Sequence, residues 1–211
     1  MYIRGGGAGK ELSELALETQ KWEQVSFVDD ITSNKTIHEL PVFTLNEAIS
    51  NSKNETSEFV IGVGEPRSRE ILFNKLKKYN CSIITLYAPS AVVSPKTQVS
   101  EGVVIHRGST ITCDGYIGHG SYINKHAVIG HDVTIGNFSV ISPNVTISGN
   151  VNIGSYTYIG SGALIREGVT IGDNVIIGMG SVVLKDVPDK SVMVGNPAKK
   201  LRENISGKVF H

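Results

Sequence analysis

Residues 123–147 read INKHAVIGHDVTIGNFSVISPNVTI, with Ile at 123, 129, 135, 141 and 147. The six-residue step extends back through Ile117, Ile111, Ile105, Val99 and Val93. It extends forward through Ile153, Ile159, Ile165, Ile171, Ile177 and Val183, giving sixteen positions without an exception. Four residues on runs a second column, mostly small or β-branched, that includes Val103, Ser109, Ala127, Val133, Val145, Thr157, Ala163 and Ser181. A helix of about 3.6 residues per turn cannot keep every sixth residue on one face, and a flat strand buries every second. The period asks for a coil with corners, a triangular prism in which each hexad supplies one short strand and one turn. Residues eighteen apart then stack and the aliphatic column fills the axis, each buried Val or Ile contributing roughly 1.5–3 kcal/mol. Glycine often follows the aliphatic position, as in Ile129-Gly130 and Ile135-Gly136. It is expected to serve corners that need positive φ. The hexads make about five coils over residues 93–188, paired in parallel, with no loop protruding.

Residues 1–88 read differently. Tyr2-Ile3 leads into Gly5-Gly6-Gly7-Ala8-Gly9, and the following KELSELALETQKW places Leu12, Leu15, Ala16 and Trp22 as one face of an amphipathic helix. Val25–Val28 reads as a second strand ending at Asp29-Asp30, FVIGVG at 59–64 as a buried parallel strand, and Pro66 as the start of a helix through Leu72, Leu76 and Tyr79, before a strand SIITLY. The alternation predicts a small doubly wound α/β sheet. Beyond residue 188 a tail, 189–211, is expected to form a short helix from Pro197 through Leu201 and to fray after Asn204.

Bulk properties exclude several classes. Lys plus Arg number 20 and Asp plus Glu 20, leaving no basic surplus for a nucleic-acid backbone or an anionic membrane. Nothing resembles a signal peptide or a spanning helix, so a cytoplasmic location is expected. Cys81 and Cys113 are too few for a disulfide framework and read as packing residues.

The glycine run fits neither familiar phosphate motif. Arg4 stands where a P-loop needs its first Gly and Glu11 where it needs Ser or Thr, and Lys10 stands where a dinucleotide fingerprint starting at Gly5 needs its last Gly. What remains is a side-chain-poor turn before a helix N-terminus, either a tight βα turn or a site whose free N–H groups hold a phosphate. Asp29 and Asp30 at the end of the second strand stand where such sheets contact a ribose or base, or are plain turn residues.

The hexads resemble the hexapeptide-repeat acyltransferase superfamily, whose coils are left-handed parallel β-helices. With its N-terminal part, nearly the whole chain is similar to bacterial sugar acyltransferases grouped with the sialic acid O-acetyltransferase, including N-acetyltransferases of nucleotide-linked 4-amino sugars. This resemblance implies a Rossmann-like N-terminal domain that holds a nucleotide-activated sugar, with Gly5, Gly7, Ala8, Gly9, Lys10, Asp29 and Asp30 as candidate contacts. It implies a homotrimer with acetyl-CoA between neighbouring subunits. The family's catalytic stretch reads here Asn124-Lys-His-Ala-Val-Ile-Gly-His131-Asp132. His131 is the candidate base, since an imidazole with pKa near 6.5 accepts a proton at neutral pH, and Asp132 the group that fixes its tautomer. Relatives often carry Glu where Gly130 stands, and His where Ala8 stands. Gly149, eighteen residues beyond His131, matches the glycine whose amide meets the thioester oxygen, or is a simple corner glycine. Ala163, Gly178, Lys185, Asn196, Pro197 and Lys199 are candidate acetyl-CoA contacts.

His106, His119 and His126 read as solvated corner residues. The spacing of His126 and His131, with His106 or His119 as a third ligand, also resembles hexapeptide-repeat carbonic anhydrases that bind zinc; the N-terminal domain and the tail VGNPAKK argue against it, and no metal is expected. The leading expectation is acetyl transfer to an amino group of a nucleotide-activated sugar. A sugar hydroxyl as acceptor, or a non-catalytic nucleotide-sugar sensor, are the alternatives.

Overall fold

The computed structural model of the protein describes residues 1–4, 6–32, 35–52 and 57–209. The N-terminal domain contains β1 (Tyr2–Arg4), α1 (Gly7–Thr19), β2 (Ser26–Val28), β3 (Thr36–Ile37), β4 (Leu40–Phe43), α2 (Leu45–Asn51), β5 (Glu58–Val60), α3 (Pro66–Lys78) and β6 (Ser82–Ile83). Its sheet runs β3-β4-β2-β1-β5-β6, parallel except for the β3–β4 pair. Strand order reverses between β1 and β5, so the crevice beyond their carboxyl ends is where such a sheet binds a ligand. Helix α1 begins inside the glycine run, earlier than the sequence suggests. A Cβ on Gly9 would stand 1.8 Å from the Arg4 carbonyl, so only glycine lets α1 lie this close to β1.

SIITLY is two strands of different sheets. Ser82–Ile83 closes the N-terminal sheet, while β7 (Leu86–Tyr87) pairs with Val104–Ile105 and opens the coil. From there, two-residue strands recur every six residues, β8 (Val92–Val93) through β23 (Val182–Val183). They stack eighteen residues apart into three parallel sheets, the faces of a prism. The second residue of each strand points into the axis, where Ile105 to Ile177 are at most 2% exposed. Polar members of the second column donate to the next coil rather than lying unpaired: Ser121 Oγ to the Gly136 carbonyl at 2.9 Å, Ser139 Oγ to Gly154 at 2.7 Å.

The corner glycines are of two kinds. Every sixth residue from Gly102 to Gly180 has positive φ, and besides glycine this column holds Asp114, His126, Asp132, Phe138, Asn144, Asn150, Tyr156 and Asn174. The glycines that follow the aliphatic position lie outside it. A Cβ on Gly130 would meet the Gly149 nitrogen at 2.7 Å, so that glycine permits close stacking of coils, not a left-handed turn.

The outward residues differentiate the faces. On the first, Leu86, Val104, Tyr122 and Val140 are at most 3% exposed because the N-terminal domain covers them. On the second, Val92, Val128 and Leu164 are 64%, 43% and 46% exposed and alternate with Thr110 and Thr146, a largely apolar ladder left uncovered by the described residues. The third presents Gln98, Tyr116, Thr134, Asn152 and Thr170 to solvent. We call these the covered, bare and polar faces.

Two helices hold the domain on the covered face. Helix α1 pairs Glu11 with Lys125 and Glu18 with Arg107, each at 2.6 Å. Helix α3 packs Phe73 on Phe138 with ring centroids 5.5 Å apart and Arg67 over Tyr156 at 3.9 Å. The C-terminal segment is not helical. β24 (Ser191–Val194) extends the covered-face sheet, with Val192 beside Ile176, and β25 (Lys199–Glu203) returns antiparallel to it. That hairpin gives the last coil an edge partner, which a helix could not supply. Asn204, expected to start the frayed end, is 3% exposed and donates to the Asn174 carbonyl at 2.9 Å.

Candidate active site

His131 projects from the corner between the bare and polar faces, half-exposed. Its Nδ1 lies 2.7 Å from Asp132 Oδ2. Adjacent residues of an extended chain point apart; here the φ of 56° at Asp132 folds its carboxylate back onto the ring. An ionised carboxylate only accepts, so Nδ1 carries the proton and Nε2 keeps its lone pair. That nitrogen lies over Gly149, where a Cβ would stand 2.5 Å from it. Gly149 is thus required to be small. Its N–H donates to none of the described residues, which leaves it available for an oxyanion.

Cys113 stacks under His131, its carbonyl accepting from the Asp132 N–H at 3.1 Å. It is half-buried at the corner rather than packed in the core, as only Cys81 is. A hydrogen bond with Asp114 pushes its thiol above the ordinary range, which disfavours the nucleophilic thiolate.

The other expected residues separate by corner. Lys185 continues the column of His131 and Gly149, and it borders a cleft shared with Pro197 and Lys199 whose lysines suit phosphate. Asn196, exposed, precedes Pro197 through a cis peptide. Ala163, Gly178 and Asn124 lie on the neighbouring corner, between the covered and bare faces. The Ala163 side chain is fully buried in the axis, its N–H donates to Gly160 at 3.1 Å and its carbonyl accepts from Thr146 at 3.0 Å, which leaves it little with which to hold a cofactor. Gly178 donates its N–H to the Met193 carbonyl at 2.8 Å. Asn124 Oδ1 accepts the Lys125 N–H at 2.8 Å; one chain does not bring it to the corner of His131.

In the N-terminal domain, Gly5 lies outside the described residues. Gly7, Ala8, Gly9 and Lys10 form the first turn of α1, and the first intrahelical bond is Lys10 N–H to Gly6 at 3.0 Å. The N–H groups of Gly7, Ala8 and Gly9 precede it and face the open helix end. Asp29 Oδ1 accepts the Ile31 N–H at 2.8 Å and Asp30 Oδ1 the Leu45 N–H at 2.8 Å, so both acids shape local turns. They also line a cleft of about 290 Å³ with Arg4, Ile61, Ile71 and Lys75, beyond the carboxyl ends of β1, β2 and β5. Sequence reasoning missed Tyr122, which joins Ala8, Glu11, Gly64 and Asn124 around a second pocket of about 180 Å³ between α1 and the coil. The signal was present: every eighteenth residue from Leu86 to Ile176 is apolar or aromatic on an outward position.

His106 departs from its expected solvated role. It is fully buried, its Nδ1 accepts the Arg107 N–H at 3.0 Å, and burial, with Lys125 nearby, pulls its pKa down to about 4. His119 and His126 are exposed as expected. His119, His126 and His131 stand on three different corners, and no group of three potential ligands meets among the described residues.

A family described as PglD N-terminal domain matches residues 3–76, and one described as bacterial transferase hexapeptide (six repeats) matches residues 114–149 and 150–185. Together they define a hexapeptide-repeat transferase with a PglD-type N-terminal domain. The chain is similar to a His-to-Asn variant of perosamine N-acetyltransferase from Caulobacter crescentus, solved with CoA and GDP-perosamine. Identity is 31%, coverage is 96% of each chain and the TM-score is 0.91. The acetyltransferase domain of PglB from Neisseria gonorrhoeae FA1090, solved with acetyl coenzyme A, shows 30% identity over 95% of this chain and 98% of that one, with a TM-score of 0.91. WeeI from Acinetobacter baumannii AYE shows 29% identity over 95% and 98%, with a TM-score of 0.88. No curated protein sequence matches the chain. The chain belongs to this family of PglD-type hexapeptide acetyltransferases. No helix among the described residues is long and apolar enough to cross a membrane.

Proposed function

We propose that the protein N-acetylates the 4-amino group of a sugar that is still linked to its nucleotide. The observation that carries the reading is the His131–Asp132 pair, with Nε2 free above the unpaired Gly149 N–H. The acceptor amine attacks the thioester carbonyl, whose oxygen takes its developing charge to the Gly149 N–H. The nitrogen's proton passes to His131 Nε2 as the C–S bond breaks, and the imidazolium returns it to the CoA sulfur. Such a base contributes about 10²- to 10⁴-fold and one oxyanion donor about 2.7–4 kcal/mol.

The nucleotide is held across the switch point, its base in the cleft of Asp29 and Asp30 and its diphosphate at the N–H groups of Gly7, Ala8 and Gly9. Three copies assemble through the bare face, because its apolar ladder is left uncovered by the chain's own N-terminal domain. That places the His131 corner of one subunit against the acceptor held by its neighbour. Acetyl-CoA lies in the groove between them, toward Lys185, Pro197 and Lys199. A relative captured with both CoA and GDP-perosamine supports this pairing of co-substrates. The enzyme works in the cytoplasm, ahead of assembly of a surface glycan.

Purified protein is incubated with acetyl-CoA and UDP-, dTDP- or GDP-linked 4-amino sugars, beside free sialic acid, and products are weighed by mass spectrometry. One nucleotide amino sugar gains a single acetyl group on nitrogen. Acetylation of sialic acid alone, or of no acceptor, overturns the reading.

A further inference from the structure

Tyr122, in the wall of the pocket between α1 and the coil, carries a hydroxyl that no atom of the described residues satisfies. The residue is 2% exposed. A buried hydroxyl left unpaired costs about 1–3 kcal/mol, so its persistence beside a cavity points to a ligand. Behind the ring lies Arg69, fully buried, with its guanidinium carbon 5.1 Å from the ring centroid. Arg69 Nε donates to the Gly120 carbonyl of the coil at 2.5 Å, and Nη1 donates to Ile61 and Val63 at 2.9 and 2.7 Å. The last two lie on the segment leaving β5 at the switch point, which ends at Gly64 in the pocket wall. Arg69 thus ties the nucleotide-binding edge of one domain to the coil of the other. Burial pulls its pKa down to about 10, so it stays cationic at neutral pH.

Glu11, Asn124 and Ser142 make the pocket rich in hydrogen-bonding groups, while Ala8, Val140 and Pro143 offer surface for C–H groups. That mixture suits a hydroxylated sugar ring and not a second nucleobase.

We propose that Tyr122 is a specificity residue whose hydroxyl bonds a ring substituent of the acceptor sugar, and that Arg69 is the positioning residue that fixes Tyr122 and the segment 61–64 against the coil. The inference rests on the nucleotide-sugar reading above and assigns the part of that ligand which this pocket reads.

Calorimetry on the full chain compares the best nucleotide amino sugar of the panel with its nucleoside diphosphate, for the native protein, Tyr122→Phe and Arg69→Lys, with melting temperature recorded for each. Tyr122→Phe weakens the nucleotide sugar about 10-fold and leaves the nucleoside diphosphate within about 2-fold. Arg69→Lys lowers kcat roughly 10- to 100-fold while KM for acetyl-CoA holds, because misplacement of the acceptor by about an ångström costs that much. Guanidinium ion added to Arg69→Ala restores part of the rate, which a loss of folded protein alone would not allow. Native affinity for the nucleotide sugar in Tyr122→Phe, or equal weakening of both ligands, overturns the proposal. So does a native protein that binds nucleotide sugars no better than the diphosphates. Failure of acetyl transfer with sugar-selective binding intact overturns instead the catalytic reading.

Discussion

Two corners of the same prism treat their backbone in opposite ways. Between the polar and covered faces, Asn137, Ser155, Asp173 and Asp189 each accept an N–H from one coil back, at His119, Asn137, Ser155 and Asp173, over 2.7–3.1 Å. Between the bare and polar faces, the equivalent column is Cys113, His131, Gly149, Glu167 and Lys185. There the N–H groups of His131, Gly149, Glu167 and Lys185 donate to none of the described residues. The closed corner is scaffold. The open one offers a row of donors beside a histidine, and an elongated cofactor with amide carbonyls is what such a row can hold. The third corner is mixed: His106 and Asn124 each accept the N–H of the following residue and Pro143 has none to offer, while the N–H groups of Ser161 and Met179 donate to none of the described residues. The proposed site is the corner where uncapped N–H groups and a histidine paired with a carboxylate occur together.

The contrast can be broken in graded ways. Replacing His131 with Ala on the open corner should lower kcat by about 10²- to 10⁴-fold, with melting temperature and acetyl-CoA affinity unchanged, read by thiol release and calorimetry. On the third corner, His106 stays neutral in the fold with a pKa near 4, against about 6.5 when unfolded. Above pH 6.5 neither state is protonated. As pH falls toward 4 only the unfolded chain binds the proton, and stability drops by up to about 3 kcal/mol. His106→Leu should flatten the melting temperature over that window. Gly149→Ala puts a Cβ where the His131 ring lies, turning the imidazole away, and kcat should fall roughly 10- to 100-fold in a folded protein. Asp173→Ala on the closed corner removes the acceptor of the Ser155 N–H at 2.7 Å and should cost about 1 kcal/mol in denaturant titration with no change in kcat.

Much of this was legible because a repeat states its own rule. Sixteen hexads fix the axis, while His131 is picked out by the resemblance of Asn124–Asp132 to the family's catalytic stretch and not by the period itself. The N-terminal domain has no such rule, and β3, β4 and α2 went unread although Thr44 and Glu47 form a capping box at α2. SIITLY gave no sign of its break, since apolar residues suit both sheets and only pairing partners divide them. The tail read as a helix from its proline, yet the unpaired edge at Val192 demands a strand. Tyr122 and Arg69 were hidden for another reason. Whether an outward tyrosine or a helical arginine is buried depends on which face the other domain covers, and that is a tertiary property.

The central claim is that a base on the open corner of one subunit meets an acceptor held by the N-terminal domain of the next. A structure with CoA and the nucleotide amino sugar bound measures this directly. The account predicts the acceptor nitrogen within about 3.2 Å of His131 Nε2 from a neighbouring subunit. A sugar amine bound away from every His131, or a chain that binds both co-substrates as a monomer, would contradict it.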